Sequence, residues 1–227
     1  MYTWRVVGRS GATTFEGPYG WFGTSAGATI SAAKKLGNGV PVAISDCAVT
    51  WSFDTGAYVQ ELNRSAGIAL IRTENLIQGK RMSISGVVST GANYERRIER
   101  ISEVQLGTAT PRPLGLANIA LGGGDFFYHA ANGAGQKGVT SGFGLNNIGL
   151  LVRIWGRVVE CDPESPATWF KVDDGSGVNV KCVVPSGVAI DPSWTYVGVT
   201  GISSCEKIPG GLQRLLRVRT QDDITPL

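Results

Sequence analysis

From residue 40 onward, apolar and polar positions alternate with a period of two. The stretches "VPVAISDCAVTWS", "GAYVQEL", "GIALIRT", "RMSISGVVST" and "RRIERISEVQL" each read as a strand, separated by Gly, Asn, Asp or Ser turns. The same pattern returns after residue 147 in "GLLVRIWGRVVECD", "TWFKVDD", "GVNVKCVVP", "WTYVGVTGISSC" and "QRLLRVRTQDDI". Between them lies a run with two prolines, many glycines and no sustained period, which reads as a connection whose apolar residues pack locally. Ahead of the first group, "TISAAKKLGNG" predicts a short helix capped by Thr29 or Ser31, with Gly37 as its left-handed stop. Before that, "YTWRVVG" predicts one strand in an otherwise irregular segment. The chain therefore divides into an N-terminal arm and short helix (1–39), a first β domain (40–106), a Gly-rich connection (107–147) and a second β domain (148–227).

The two β groups can be laid over one another. "GAYVQELNRSAGIAL" matches "TWFKVDDGSGVNVKC", with Tyr58 opposite Phe170, Glu61 opposite Asp173, and Gly67-Ile68 opposite Gly177-Val178. "MSISGVVST" matches "VGVTGISSC", with Gly86 opposite Gly201. In both copies the acidic, Gly-containing segment lies between alternating strands, so "DDGSG" is a hairpin turn. Gly175 and Gly177 would take positive φ, and Asp174 or Ser176 would bond the turn backbone. A calcium loop needs Asp at alternate positions and a later Glu, and a phosphate loop needs Gly-Lys-Ser/Thr opening a helix; neither is present.

Five strands per unit, a hairpin between the second and third, a Gly in the fourth and a basic closing strand describe an OB-fold. The expected class is mainly β: two tandem five-stranded OB-like barrels with one short helix. "WFKVDDGSGVNVKCVVP", "YVGVTGISS" and "LRVRTQDDI" resemble the hairpin and later strands of nucleic-acid-binding OB-folds. "AKKLGNG", "YVQELNRSAGI", "GLNNIGLLVRIWG" and "DDGSG" resemble patterns in uncharacterised tandem OB-like proteins of bacteria, many of them exported. That resemblance runs from about Ala28 to Leu227. It implies the fold and an extracellular or cell-surface location, and offers no established activity to carry over.

Composition narrows the choice of function. Glycine is abundant (32 of 227 residues) and charge is sparse (17%), which suits a turn-rich β chain. A net charge of +3 announces no strong electrostatic capture of duplex DNA. No stretch has the ~18 apolar residues of a membrane helix, and residues 1–21 lack an apolar signal-peptide core. Cys47, Cys161, Cys182 and Cys205 form no C-x-x-C pair, so zinc is not expected; one disulfide among Cys161, Cys182 and Cys205 is compatible with the spacing, as are free thiols. No metal or cofactor is expected.

Reactive groups are scarce. The single histidine, His129, sits in the Gly-rich connection without a partner pattern. Asp173-Asp174 and Asp222-Asp223 are adjacent, so on a strand each pair splits between two faces. No G-x-S-x-G motif occurs, and no enzymatic activity is expected. Two non-catalytic readings remain. In the first, the protein is a structural or binding module whose arm (Tyr2, Trp4 and Val6) adds to β-edges, so that it associates with itself as an oligomer or polymer. In the second, Arg64, Arg153, Arg157, Trp169 and Lys171 bind single-stranded nucleic acid, with a cytoplasmic location. Trp169 and Lys171 share one strand face and Phe170 points inward; through the repeat, Tyr58 is expected inward as well.

Overall fold

The structure, a computed structural model, describes residues 2–17, 20–22, 28–53, 55–71 and 76–227, with backbone alone at 2–4 and 20–22. The arm holds four short strands: β1 (Tyr2–Trp4), β2 (Val7–Ser10), β3 (Thr13–Glu16) and β4 (Gly20–Phe22). β1 pairs with β4 and β2 with β3, so the arm pairs with itself where one strand in an irregular segment was expected. Gly11, at φ +61, makes the tight β2–β3 turn possible. The rest of the arm, residues 1, 18, 19 and 23–27, lies outside the described residues.

Helix α1 (Ile30–Lys34) is only five residues long. Thr29 is its cap, its hydroxyl accepting from the Ala32 N–H at 3.0 Å. The expected stop at Gly37 is not observed, because the left-handed residue is Gly39 (φ +82). So short a helix is held by tertiary contact: Ile30 and Ala33 are fully buried in the first barrel, and the Glu61 carboxylate accepts from the Ile30 N–H at 2.6 Å.

The first barrel comprises β5 (Pro41–Phe53), β6 (Gly56–Gln60), β7 (Gly67–Ile71), β8 (Lys80–Thr90) and β9 (Arg96–Thr108), closed in the order β5-β6-β7-β9-β8. The connection carries β10 (Leu114–Gly115), a 3-10 turn (Asn118–Ala120), β11 (Phe126–His129) and β12 (Ala134–Gln136). The second barrel comprises β13 (Leu151–Cys161), β14 (Trp169–Asp173), β15 (Asn179–Val183), β16 (Tyr196–Ile208) and β17 (Gly211–Arg217), and β18 (Ile224–Pro226) adds to β16. Its order is β13-β14-β15-β17-β16, with β13 pairing back to β16. Within the five barrel strands of each unit the parallel pair is β7–β9 in the first and β15–β17 in the second, so both units have the same OB-like topology. Each has its own apolar interior, one around Ile44, Val59, Ile68 and Ile98, the other around Ile154, Phe170, Val180 and Val199.

Local sequence signals explain the bends. A Cβ on Gly86 would lie 2.5 Å from the Ile98 side chain, and one on Gly201 2.5 Å from the Arg217 carbonyl oxygen, so both strands need glycine where they curve past a neighbour. In "DDGSG", Gly175 (φ +83) and Gly177 (φ +81) are left-handed. The Asp173 carboxylate accepts from the Gly175 N–H at 2.9 Å, and that of Asp174 from the Ser176 N–H at 3.0 Å. Asp174 also accepts from the Asn118 N–H at 2.7 Å, which pins the connection to this turn.

The disulfide among Cys161, Cys182 and Cys205 is not formed; all four cysteines are free. Cys161 and Cys182 both pair with Phe170, from opposite sides, so two strand spacings of ~4.8 Å separate them, more than the ~7 Å a disulfide spans. Cys205 points elsewhere, its thiol donating to the Asn93 carbonyl at 3.0 Å.

The repeat alignment needs a one-residue shift. Ala57 and Val59 face the first barrel's interior as Phe170 and Val172 face the second's, so Tyr58 occupies the outward position. Tyr58 is nevertheless buried, because it packs with Ala69 against Leu151 and Ile202 of the second barrel. The barrels are thus docked through the outer face of β6 and β7. The Lys34 ammonium donates to the Ile148 carbonyl (2.5 Å), the Leu151 N–H to the Gln60 side chain (3.1 Å), and Arg219 to the Thr50 carbonyl (2.8 Å).

Candidate nucleic-acid interface

With the interior of the second barrel filled by Phe170, Val172, Val180 and Cys182, period two sends the alternate residues of β14 and β15 to the outside. They are Trp169, Lys171 and Asp173 on β14, opposite Val183, Lys181 and Asn179 on β15. Lys171 and Lys181 are cross-strand partners, and their ammonium groups lie 5.4 and 5.6 Å from the Trp169 ring. Each lysine also has a carboxylate, Glu160 at 2.7 Å from Lys171 and Glu206 at 3.0 Å from Lys181. These pairs are partly solvated, worth ~0–1 kcal/mol each, so an incoming phosphate can compete with them.

The face continues onto β13. Arg157 is exposed and pairs with Asp173 on one side and Tyr196 on the other. Trp155 (53% exposed) stands between Arg157 and Arg153 on the outer side, and Tyr196 is 51% exposed. Arg153 is oriented by contacts at 3.4 Å to the Thr200 and Thr225 hydroxyls. Sequence reasoning missed Trp155 and Tyr196. The alternation in "RIWGR" carried the signal for Trp155, which shares its parity with both arginines.

Not every residue proposed from sequence joins this face. Arg64 sits in the β6–β7 turn at φ +63 and donates to the Pro113 carbonyl at 3.3 Å, beside the connection. The face of the first barrel that corresponds to Trp169 and Lys171 is the one docked on the second barrel, so it is unavailable to a long strand. Of the arm residues, Val6 is exposed and its carbonyl accepts from the Gly17 N–H, while Tyr2 and Trp4 are backbone partners of Phe22 and Gly20. Among the described residues, no cluster of His, Cys, Asp and Glu could hold a metal ion. Among the described residues, no helix is long and apolar enough to cross a membrane.

The cysteines bring no reactive thiolate to the surface. Burial pushes the Cys47 and Cys205 thiols up to about 12 and that of Cys182 higher still. Burial, with Glu160 beside it, also raises Cys161.

No protein-family model matches the chain, and no curated protein matches it. Among solved structures, the chain is similar to a murine DNA binding protein bound with double-stranded DNA, at 9% identity and a TM-score of 0.36, over 78% of this chain and 93% of that one. It is also similar to the tetrameric p202 HIN2 (13% identity, TM-score 0.37, 85% and 95% of the two chains). The Ifi202 HINa domain in complex with 20 bp double-stranded DNA gives 12% identity and a TM-score of 0.35, over 79% and 93%. At such scores the likeness decides neither the fold nor the ligand of this chain; the fold rests on the strand order and pairing described above.

Proposed function

We propose that this protein is a non-catalytic binder of single-stranded nucleic acid that receives the strand across the outer face of β13, β14 and β15. The observation that carries this reading is the placement of Trp169 beneath two opposed lysines, on a face whose other side chains include Trp155, Arg153 and Arg157. Aromatic rings offer stacking to any base, and flanking cations follow the phosphates; together they are what strand binding without sequence preference requires. The modest net charge of +3 fits a short site better than capture of a long duplex. A cytoplasmic location belongs with this reading.

Stacking on one aromatic contributes ~1–3 kcal/mol per base. Fluorescence anisotropy with a labelled oligothymidylate should therefore show wild-type binding that weakens roughly tenfold in Trp169→Ala and recovers in part in Trp169→Phe. Absence of wild-type binding, or equal affinities for the three proteins, refutes the proposal.

A second reading, self-association through β-edges at the cell surface or outside the cell, is favoured by one observation. The β2–β3 hairpin is exposed along its whole length, with Phe15 62% exposed. Light scattering of the full chain and of a form lacking residues 1–27 separates the cases: loss of a defined oligomer on truncation supports it, and a monomer in both removes it.

A further inference from the structure

The parallel strands β15 and β17 pair Lys181 with Leu215, Cys182 with Leu216 and Val183 with Arg217. Ahead of that register they are not paired, and a pocket of about 210 Å³ lies there. Lys171 and Lys181, the pair beside Trp169, line it together with Asn179, Gln213 and Arg214, and Thr140 of the connection borders it. The pocket is smaller than the ~300 Å³ at which sites for whole small molecules begin, so it suits one group of a larger ligand.

The lining is cationic. It holds Lys171, Lys181 and Arg214 and, among the described residues, no carboxylate. Glu160 and Glu206 pair with the two lysines at 2.7 and 3.0 Å without lining the pocket. Arg214 is half-buried and has no carboxylate partner among the described residues. Its Nε donates to the Leu121 carbonyl at 3.1 Å, and its Nη2 to those of Ile119 at 3.2 Å and Ser141 at 3.5 Å. Its Nη1 has no partner among the described residues and is not buried. Burial lowers the pKa of this guanidinium, as expected for a cation taken from water without a counter-ion. Two neutral donors stand beside it. The Thr140 hydroxyl oxygen accepts from the Leu212 N–H at 2.9 Å, which leaves its hydrogen for an anion, and Asn179 is exposed.

We propose that this pocket receives the terminal phosphate of a single strand, so that strands with a phosphorylated end bind in preference to strands ending in a hydroxyl. The site rests on the strand-binding reading above and names the part of the strand that occupies it. A phosphate within a strand is a diester with one negative charge, whereas a terminal monoester carries about −1.5 to −2 and offers three acceptor oxygens. The added charge lets the end group compete with Glu160 and Glu206 for the lysines, and the added oxygen reaches Arg214 Nη1. Trp169 lies two residues from Lys171 on the same face, about 7 Å along the strand, so the base beside that phosphate stacks there. Phosphates further along the strand are left to Arg157 and Arg153.

Competition binding with the full chain tests it. A short labelled oligothymidylate is displaced by unlabelled strands of the same length that carry a 5′-phosphate, a 3′-phosphate or hydroxyls at both ends. One phosphorylated strand at least is expected to bind about tenfold more tightly than the hydroxyl-ended strand, the factor that one charge-assisted hydrogen bond supplies, and the better one identifies the end. Arg214→Met should remove most of that preference while leaving the hydroxyl-ended strand nearly unchanged. Since Arg214 also ties down the connection, Asn179→Asp, at an exposed position, serves as the second variant; its carboxylate should cut the preference several-fold by repulsion. A melting curve for each variant confirms the fold. Equal affinities for the three strands overturn the pocket and leave strand binding standing, whereas failure of every strand to bind overturns both. A preference unaltered in both variants places the end phosphate elsewhere and overturns the pocket as well.

Discussion

Replacing Gly67 with alanine perturbs the contact that docks the two barrels. The added Cβ would lie 2.1 Å from the Gly149 carbonyl oxygen, 2.4 Å from its carbon and 2.8 Å from the Leu150 nitrogen, where ordinary contact begins at 3.4 Å. All three atoms are backbone, so no side chain can rotate away. The segments must part by about 1.3 Å, the difference between 2.1 and 3.4 Å. That separation loads the bonds on either side: Gly149 N–H to the Ser203 carbonyl (2.7 Å), Ser203 N–H to the Leu150 carbonyl (2.9 Å) and Leu151 N–H to Gln60 (3.1 Å). Overpacking costs ~1–3 kcal/mol and each weakened hydrogen bond up to about 1 kcal/mol, which together give roughly 2–4 kcal/mol. For a chain of this size each kcal/mol lowers Tm by about 2–4 °C, so calorimetry should find a drop of roughly 5–15 °C. Gly8→Ala is the control, because nothing lies within 4 Å of its added Cβ, and its Tm should be unchanged. A Gly67→Ala protein that melts with the wild type would refute the docked arrangement.

Other outcomes follow from buried titratable groups. In the native protein at pH 8, a thiol reagent should reach Cys161 alone, since Cys47, Cys182 and Cys205 are buried, and all four should react after unfolding; fast native reaction of two or more contradicts the packing. Burial lowers the Lys34 ammonium from 10.5 to about 8, against the raising effect of Glu95. Between these values the unfolded chain binds more protons, so wild-type stability relative to Lys34→Met should be flat below pH 8 and rise toward pH 10.5, by up to about 1.4 kcal/mol per pH unit. A difference curve flat across that window, from chemical denaturation at each pH, would place Lys34 in water.

The strands of both barrels were legible because each unit has one face in its own interior, which imposes period two on the sequence. The same reasoning misplaced Tyr58 for a physical reason. All of Gly56–Gln60 is buried, one side by the barrel interior and the other by the second barrel, so polarity no longer distinguishes in from out. The connection was opaque because its order comes from backbone proximity. A Cβ on Gly123 would meet the Leu145 carbonyl at 2.3 Å, and one on Gly138 the Gly124 carbonyl carbon at 2.3 Å. Asn147 then ties it down, accepting from the Gly122 N–H (2.9 Å) and the Ser203 hydroxyl (2.6 Å). Such contacts leave no periodic trace. Trp169 and Lys171 were readable from parity, whereas Lys181 needed the β14–β15 register.

The salt dependence of oligonucleotide binding tests the central claim most directly. Each phosphate neutralised on a single strand contributes about −0.7 to the slope of log affinity against log salt. With Lys171, Lys181, Arg153 and Arg157 on the face, the wild-type slope should be roughly −3, and Lys171→Ala with Lys181→Ala should reduce it to about −1.4. A wild-type slope near zero, or one that the double substitution leaves unchanged, would contradict strand binding across β13–β15.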